Sequence, residues 1–259
     1  MLRPVFLLLF LLAACQPSPP ATSASRDPRV APDTTAIRRD IEHLASAALE
    51  GRGTGTAGND SAAAYIARRF ESLRLATLPH GCPSPAGTLE RRCGRKYFQP
   101  FIARSAAAAH AGLPSELPSQ NVMAVVRGTD PALAGEYIVI GAHFDHLGRS
   151  AASALDPDSV EAIRNGADDN ASAIAILLET ARLLPALAQH PLLFVAFNAE
   201  EPPYIRTSLM GSQHFVDHLP AEIREPSQFH AVVIMDLMGG VQWAPIGEFE
   251  HAGRMYPIA

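Results

Sequence analysis

Four stretches of this chain carry side chains of the types that bind cations or move protons. They are YIVIGAHFDHLG at Tyr137–Gly148, NGADDNAS at Asn165–Ser172, LLFVAFNAEE at Leu192–Glu201 and AVVIMDLMGG at Ala231–Gly240. Their reactive side chains are His143, Asp169, Glu200, Glu201 and Asp236. An imidazole and carboxylates with no thiolate among them fit Zn²⁺, and fit Mn²⁺ or Co²⁺ less well. A set this rich in carboxylates can hold two metals if one aspartate bridges them and offsets their repulsion. Such a site brings the pKa of a bound water to about 7 and polarises a carbonyl, the requirements of metal-assisted hydrolysis.

Each stretch also has a plain structural reading. A His-x-Asp triplet occurs in ordinary surface turns. Either Asp168 or Asp169 could cap a helix and complement its dipole, which explains one aspartate and leaves the other over. Paired glutamates are common in solvated loops, although these follow a wholly apolar run. What favours a site is the recurrence of such residues beside four apolar elements.

The apolar elements set the fold class. Tyr137–Ile140 has the length and β-branching of a buried strand, and Asn121–Val126, Leu192–Phe197 and Ala231–Met235 read likewise. Ala173–Leu184 predicts a helix with Ile174, Leu177, Leu178, Ala181 and Leu184 on one face. Ile37, Ile41 and Leu44, after the cap-like Asp33-Thr34-Thr35, predict an earlier helix. Tyr65, Ile66, Phe70 and Leu73 predict another, capped by Asp60 or Ser61. Between these two, Glu50–Asn59 (EGRGTGTAGN) is a glycine-rich turn without the lysine of a phosphate loop. Leu78–Gln120 reads as an irregular insertion at about 78–120, with one strand around Tyr97–Ile102. Reactive loops after core strands are the pattern of open α/β sheets, whose sites lie at the carboxyl ends of the strands. In an extended segment His143 and Asp145 share a face, which suits an imidazole ligand with a carboxylate behind it.

A length of 259 residues allows one sizeable core, and a net charge of −5 gives no basic footprint for nucleic acid. Arg3 and the apolar Val5–Leu12 form a targeting segment too short to span a bilayer. Leu12-Ala13-Ala14-Cys15 resembles a bacterial lipobox, with a plain secretory signal as the alternative. This predicts a signal peptide over 1–14 and a lipid anchor at Cys15. Gln16 after the cysteine favours the outer membrane, by resemblance to Gram-negative lipoproteins. Residues 15–33, rich in Pro, Ser and Ala, read as a flexible tether, and the folded domain as 34–259. Cys82 and Cys93 could close a disulfide in an exported chain.

Taken in order, EGR…GT.G, NV.AVV.G, AHFDHLG, NGADDNAS, NAEE, MGS and MDLMGG resemble metallopeptidase family twenty-eight, the co-catalytic zinc aminopeptidases. The resemblance runs from about Leu44 to Gly240. It implies an α/β domain with a mixed, mostly parallel central sheet flanked by helices, acting on peptide substrates through two Zn²⁺ ions. By motif, His143 and Asp236 resemble ligands of one zinc, Asp169 the bridge and Glu201 a ligand of the other. Asp145 resembles the carboxylate that orients His143, and Glu200 the general base. Asp168 and His146 stay outside the ligands. The family's last histidine has no counterpart here, since only His251 follows Asp236, in EFEHAGRM. The resemblance therefore implies a domain incomplete at its carboxyl end, holding one zinc or less tightly. A non-catalytic interaction module of the same fold is the alternative in another class. Glutaminyl cyclisation on one zinc is a related activity.

Overall fold

The computed structural model describes residues 31–78, 96–104, 115–149, 162–208, 210–240, 247–251 and 254–258. The leader, most of the tether, and Cys15, Cys82 and Cys93 lie outside the described residues.

Helix α1 (Thr34–Leu44) begins where the sequence predicts, because the Asp33 carboxylate accepts from the free N–H groups of Thr35 and Ala36 at 3.0 Å. Such a cap contributes about 1 kcal/mol. Helix α2 (Ala57–Ser72) starts earlier than predicted. Thr56, not Asp60 or Ser61, is its cap, accepting from Asn59 N–H. Gly58 sits inside the first turn because a Cβ there would lie 1.9 Å from Leu49 O, so it permits close packing rather than a turn.

Five strands follow: β1 (Phe98–Arg104), β2 (Glu116–Val126), β3 (Tyr137–His143), β4 (Leu192–Phe197) and β5 (Phe229–Ile234), with helix α3 (Ala173–Leu183) between β3 and β4 and the short α4 (Gly211–Asp217) between β4 and β5. β2 reaches back to Glu116, so part of the predicted irregular insertion is strand. The sheet order is β1-β2-β4-β3-β5. β2 runs antiparallel to both its neighbours, while β4, β3 and β5 are parallel. The sheet is mixed, and four of its five strands point the same way. A separate hairpin, β6 (Gly247–His251) and β7 (Arg254–Ile258), contains the backbone of His251, whose side chain lies outside the described residues.

Strand alternation divides the core. Leu192, Phe194 and Ala196 of β4 face α1, α2 and α3, packing with Leu44, Ile66, Phe70, Leu177 and Leu178. Leu193, Val195 and Phe197 face the other side, with Met123, Val125, Val139 and Phe215 of α4. Helices therefore cover both faces, and the parallel strand β4 between them is apolar throughout. β5 differs, since it is an edge strand whose Val232, Val233 and Ile234 are 54%, 49% and 58% exposed.

Candidate metal centre

Parallel pairing puts the carboxyl ends of β3, β4 and β5 side by side, with the turn before α3 above them. His143 ends β3, Glu200 and Glu201 follow β4, Asp236 follows β5, and Asp169 lies in the turn Ala167–Ser172. All the predicted site residues meet here. His143 Nε2 is 3.3 Å from Asp169 Oδ1 and 3.4 Å from Asp236 Oδ1. On the other side, His146 Nδ1 is 3.0 Å from Glu201 Oε1 and 3.8 Å from Asp169 Oδ2. Two groups result, His143–Asp169–Asp236 and His146–Asp169–Glu201, each offering three ligand atoms within 4.8 Å of one another.

His146 is the residue that the sequence leaves outside the ligands, and the structure brings its imidazole beside Glu201. The strand ends at His143, so alternation no longer governs the chain beyond it. His146 N–H bonds Arg52 O at 3.3 Å, which turns the chain toward Glu201. Gly166, at φ +56°, makes room, because a Cβ there would lie 2.6 Å from the His146 ring.

Asp145 is fully buried behind His143, with its carboxylate Oδ1 3.7 Å from His143 Nδ1, outside hydrogen-bond range. Its Oδ2 accepts from Glu200 N–H at 3.0 Å, Glu201 N–H at 3.2 Å and Thr54 Oγ1 at 3.1 Å. The Asp145 carboxylate thus orients both glutamates, while the histidine Nδ1 is 3.1 Å from the Asp145 backbone carbonyl rather than from its carboxylate. Neither aspartate of the pair caps α3 through its side chain. Asp168 turns away from the centre to accept from Gly239 N–H at 2.6 Å, tying this turn to the loop after β5.

Glu200 belongs to neither ligand group. Both its oxygens are taken by Ser212, which donates its N–H at 2.7 Å and its hydroxyl at 2.9 Å. Burial, reinforced by the Asp145 charge, pushes the Glu200 carboxyl up to about 7 against the opposing Ser212 bonds. That value suits a general base. Asn198 sets the backbone ahead of it through buried amide contacts with Asn59 at 2.9 Å and Asn121 at 3.1 Å.

Beneath both groups lies Arg52, fully buried, which sequence reasoning gives no role beyond its place in EGR. Its guanidinium donates to the carbonyls of Phe144, Asn165 and Gly166, each at 2.8 Å, and to that of Leu44. One side chain thereby fastens the loop after β3 to the turn that carries Asp169. Burial lowers its pKa to about 10, while Asp145, Asp169 and Glu201 hold the charge on.

The residues fit metal on three observations. Asp169 Oδ1 is buried without a hydrogen-bond partner, an orphan that a cation would satisfy. The donor set is imidazole and carboxylate, with one aspartate oxygen directed to each group. Burial opposes a charge on His143, yet Asp145, Asp169 and Asp236 together push its pKa up to about 12, and the same carboxylates would favour a metal cation in place of that proton.

Beside His143, Glu200 and Asp236 opens a cavity of about 470 Å³, walled by Val139, Phe197, Phe215, Phe229, Val232 and Ile234. A second cavity, of about 330 Å³, adjoins His146 and is bounded by Thr54, Leu117, Pro202 and Tyr204.

The sequence model of peptidase family M28 matches residues 121–247, the span that contains every ligand named above. Over 96 residues the chain is 41% identical to the uncharacterized protein YfbL of Escherichia coli K12, covering 37% of this chain and 27% of that one. Over 55 residues it is 44% identical to aminopeptidase YwaD of Bacillus subtilis, covering 21% of this chain and 11% of that one. The matched stretches thus span about a quarter and a tenth of those relatives. A Zn-dependent exopeptidase from Parabacteroides distasonis shares the fold, with a TM-score of 0.58 at 18% identity over 83% of this chain and 65% of that one. The glutaminyl cyclase of Tannerella forsythia does so with a TM-score of 0.53 at 19% identity, over 79% and 62%. Motif order, fold and side-chain geometry agree with the match of residues 121–247 to the sequence model of peptidase family M28.

Proposed function

We propose that the protein is an exported, zinc-dependent aminopeptidase that removes apolar residues from the amino termini of peptides. The observation that carries the reading is Asp169, whose two oxygens face two separate three-ligand groups with Glu200 poised beside them. His143, Asp169 and Asp236 would hold one zinc, and His146, Asp169 and Glu201 the other. This revises the expectation of one zinc or less, because the Glu201 side has its imidazole. Three carboxylates offset most of the charge of two divalent cations. Bound zinc would polarise the scissile carbonyl and acidify a water. Glu200 would take a proton from the attacking water as its oxygen bonds to the carbonyl carbon, and would give it to the amine released when the C–N bond breaks, while Ser212 holds the Glu200 carboxylate. The cavity lined by Val139, Phe197 and Phe215 receives an apolar side chain and excludes water from the reacting bond.

The test is hydrolysis of leucyl and phenylalanyl anilides beside lysyl and glutamyl ones by the zinc-loaded chain. The apolar substrates should be cleaved at least ~10-fold faster, since burying such a side chain contributes about 1.5–3 kcal/mol. Ring closure of glutaminyl peptides without anilide cleavage would establish the cyclase reading instead. Absence of both activities would favour the interaction module. Export rests on Leu12-Ala13-Ala14-Cys15. Cys15→Ser should release the protein from the membrane fraction, and an unchanged distribution would refute the anchor.

A further inference from the structure

The same parallel pairing that gathers the ligands of the metal centre also gathers three side chains at the other end of the sheet. Glu136 immediately precedes β3, His190 lies two residues before β4, and His230 is the second residue of β5. Register pairs Tyr137 with Phe229 and Ile138 with Leu192, so these three starts are neighbours. His230 Nδ1 is 3.4 Å from Glu136 Oε2, and His190 Nδ1 is 3.9 Å from the same oxygen. One ligand atom from each residue lies within 4.8 Å of the others. His190 Nδ1–H donates to Glu136 O at 3.0 Å, which orients its ring and leaves the lone pair on Nε2, and the two imidazoles stack with centroids 4.3 Å apart. The hydrolytic reading uses none of these residues.

We infer that Glu136, His190 and His230 form a separate zinc site that clips edge strand β5 to β3 and β4. Two imidazoles and a carboxylate are a zinc donor set, and three protein ligands leave a fourth position for water. Zinc bonds of about 2.0–2.2 Å require the donor atoms to draw closer than they stand. Glu136 and His230 have side chains 51% and 53% exposed and can rotate to do so. β5 is the strand with most to gain. Among the described residues it pairs on one side only and leaves Val232, Val233 and Ile234 exposed, yet it carries Asp236 beyond its far end. A metal across its amino end would join it to both parallel neighbours, and binding confined to the folded state stabilises that state.

The experiment uses the full chain with Asp169→Asn, which removes the ligand common to both central groups. Zinc is added, and bound metal, Tm and hydrogen exchange of residues 229–234 are followed. One zinc per chain should bind, Tm should rise by about 5–10 °C at a hundredfold excess over Kd, and exchange in β5 should slow. His190→Ala or His230→Ala in the same background should abolish all three effects, whereas His218→Ala should leave them intact. In the otherwise unchanged chain, His230→Ala alters only a half-exposed side chain and should lower total zinc by one. The proposal is overturned if Asp169→Asn binds no zinc, if the Tm rise survives both histidine variants, or if His230→Ala leaves the zinc count unchanged.

Discussion

Ser212 holds Glu200 by both carboxylate oxygens, with its amide N–H on one and its hydroxyl on the other, at 2.7 and 2.9 Å. The backbone N–H bond survives replacement of serine by alanine, but the hydroxyl bond does not. Ser212→Ala should therefore leave zinc content unchanged and lower kcat about tenfold, the scale of one hydrogen bond to a charged group. Glu200→Gln should also retain zinc while lowering kcat ~10²-fold or more, as loss of a general base does. Loss of metal from the Glu200 variant would mean that Glu200, not Glu201, is the ligand.

Arg52 is the link between the loop after β3 and the turn carrying Asp169. Lysine keeps the charge but lacks the planar fork, and its ammonium cannot serve four carbonyls that now surround the guanidinium. Each carbonyl left unsatisfied costs about 1–3 kcal/mol. Arg52→Lys should lower unfolding stability by about 2–4 kcal/mol in denaturant titrations of the metal-free chain. A change below about 0.5 kcal/mol, the scale of an ordinary surface substitution, would show that the carbonyls find other partners.

Much of this arrangement is legible in the sequence because parallel strands write their ends clearly. Leu192–Phe197 is apolar without interruption, so Glu200 and Glu201 announce a site at its end, and β3 and β5 announce His143 and Asp236 in the same way. His146 is not legible, since the strand stops at His143 and the path beyond it depends on Arg52, far away in sequence. The same holds for Arg52 and Ser212, whose contacts run between segments that no local pattern connects. The start of α2 misleads for a different reason. Gly58 looks like a helix breaker, yet it serves close packing against Leu49 inside the first turn.

The central claim is that Asp169 joins two metal groups, the second completed by His146. It is tested most directly by counting zinc in the purified His230→Ala chain, where the peripheral cluster is disabled, after dialysis against metal-free buffer. The account predicts two zincs per chain, falling to one when His146→Ala is added, because the Glu201 side then keeps only two carboxylates. One zinc or fewer in the parent, or two zincs persisting without His146, would contradict it.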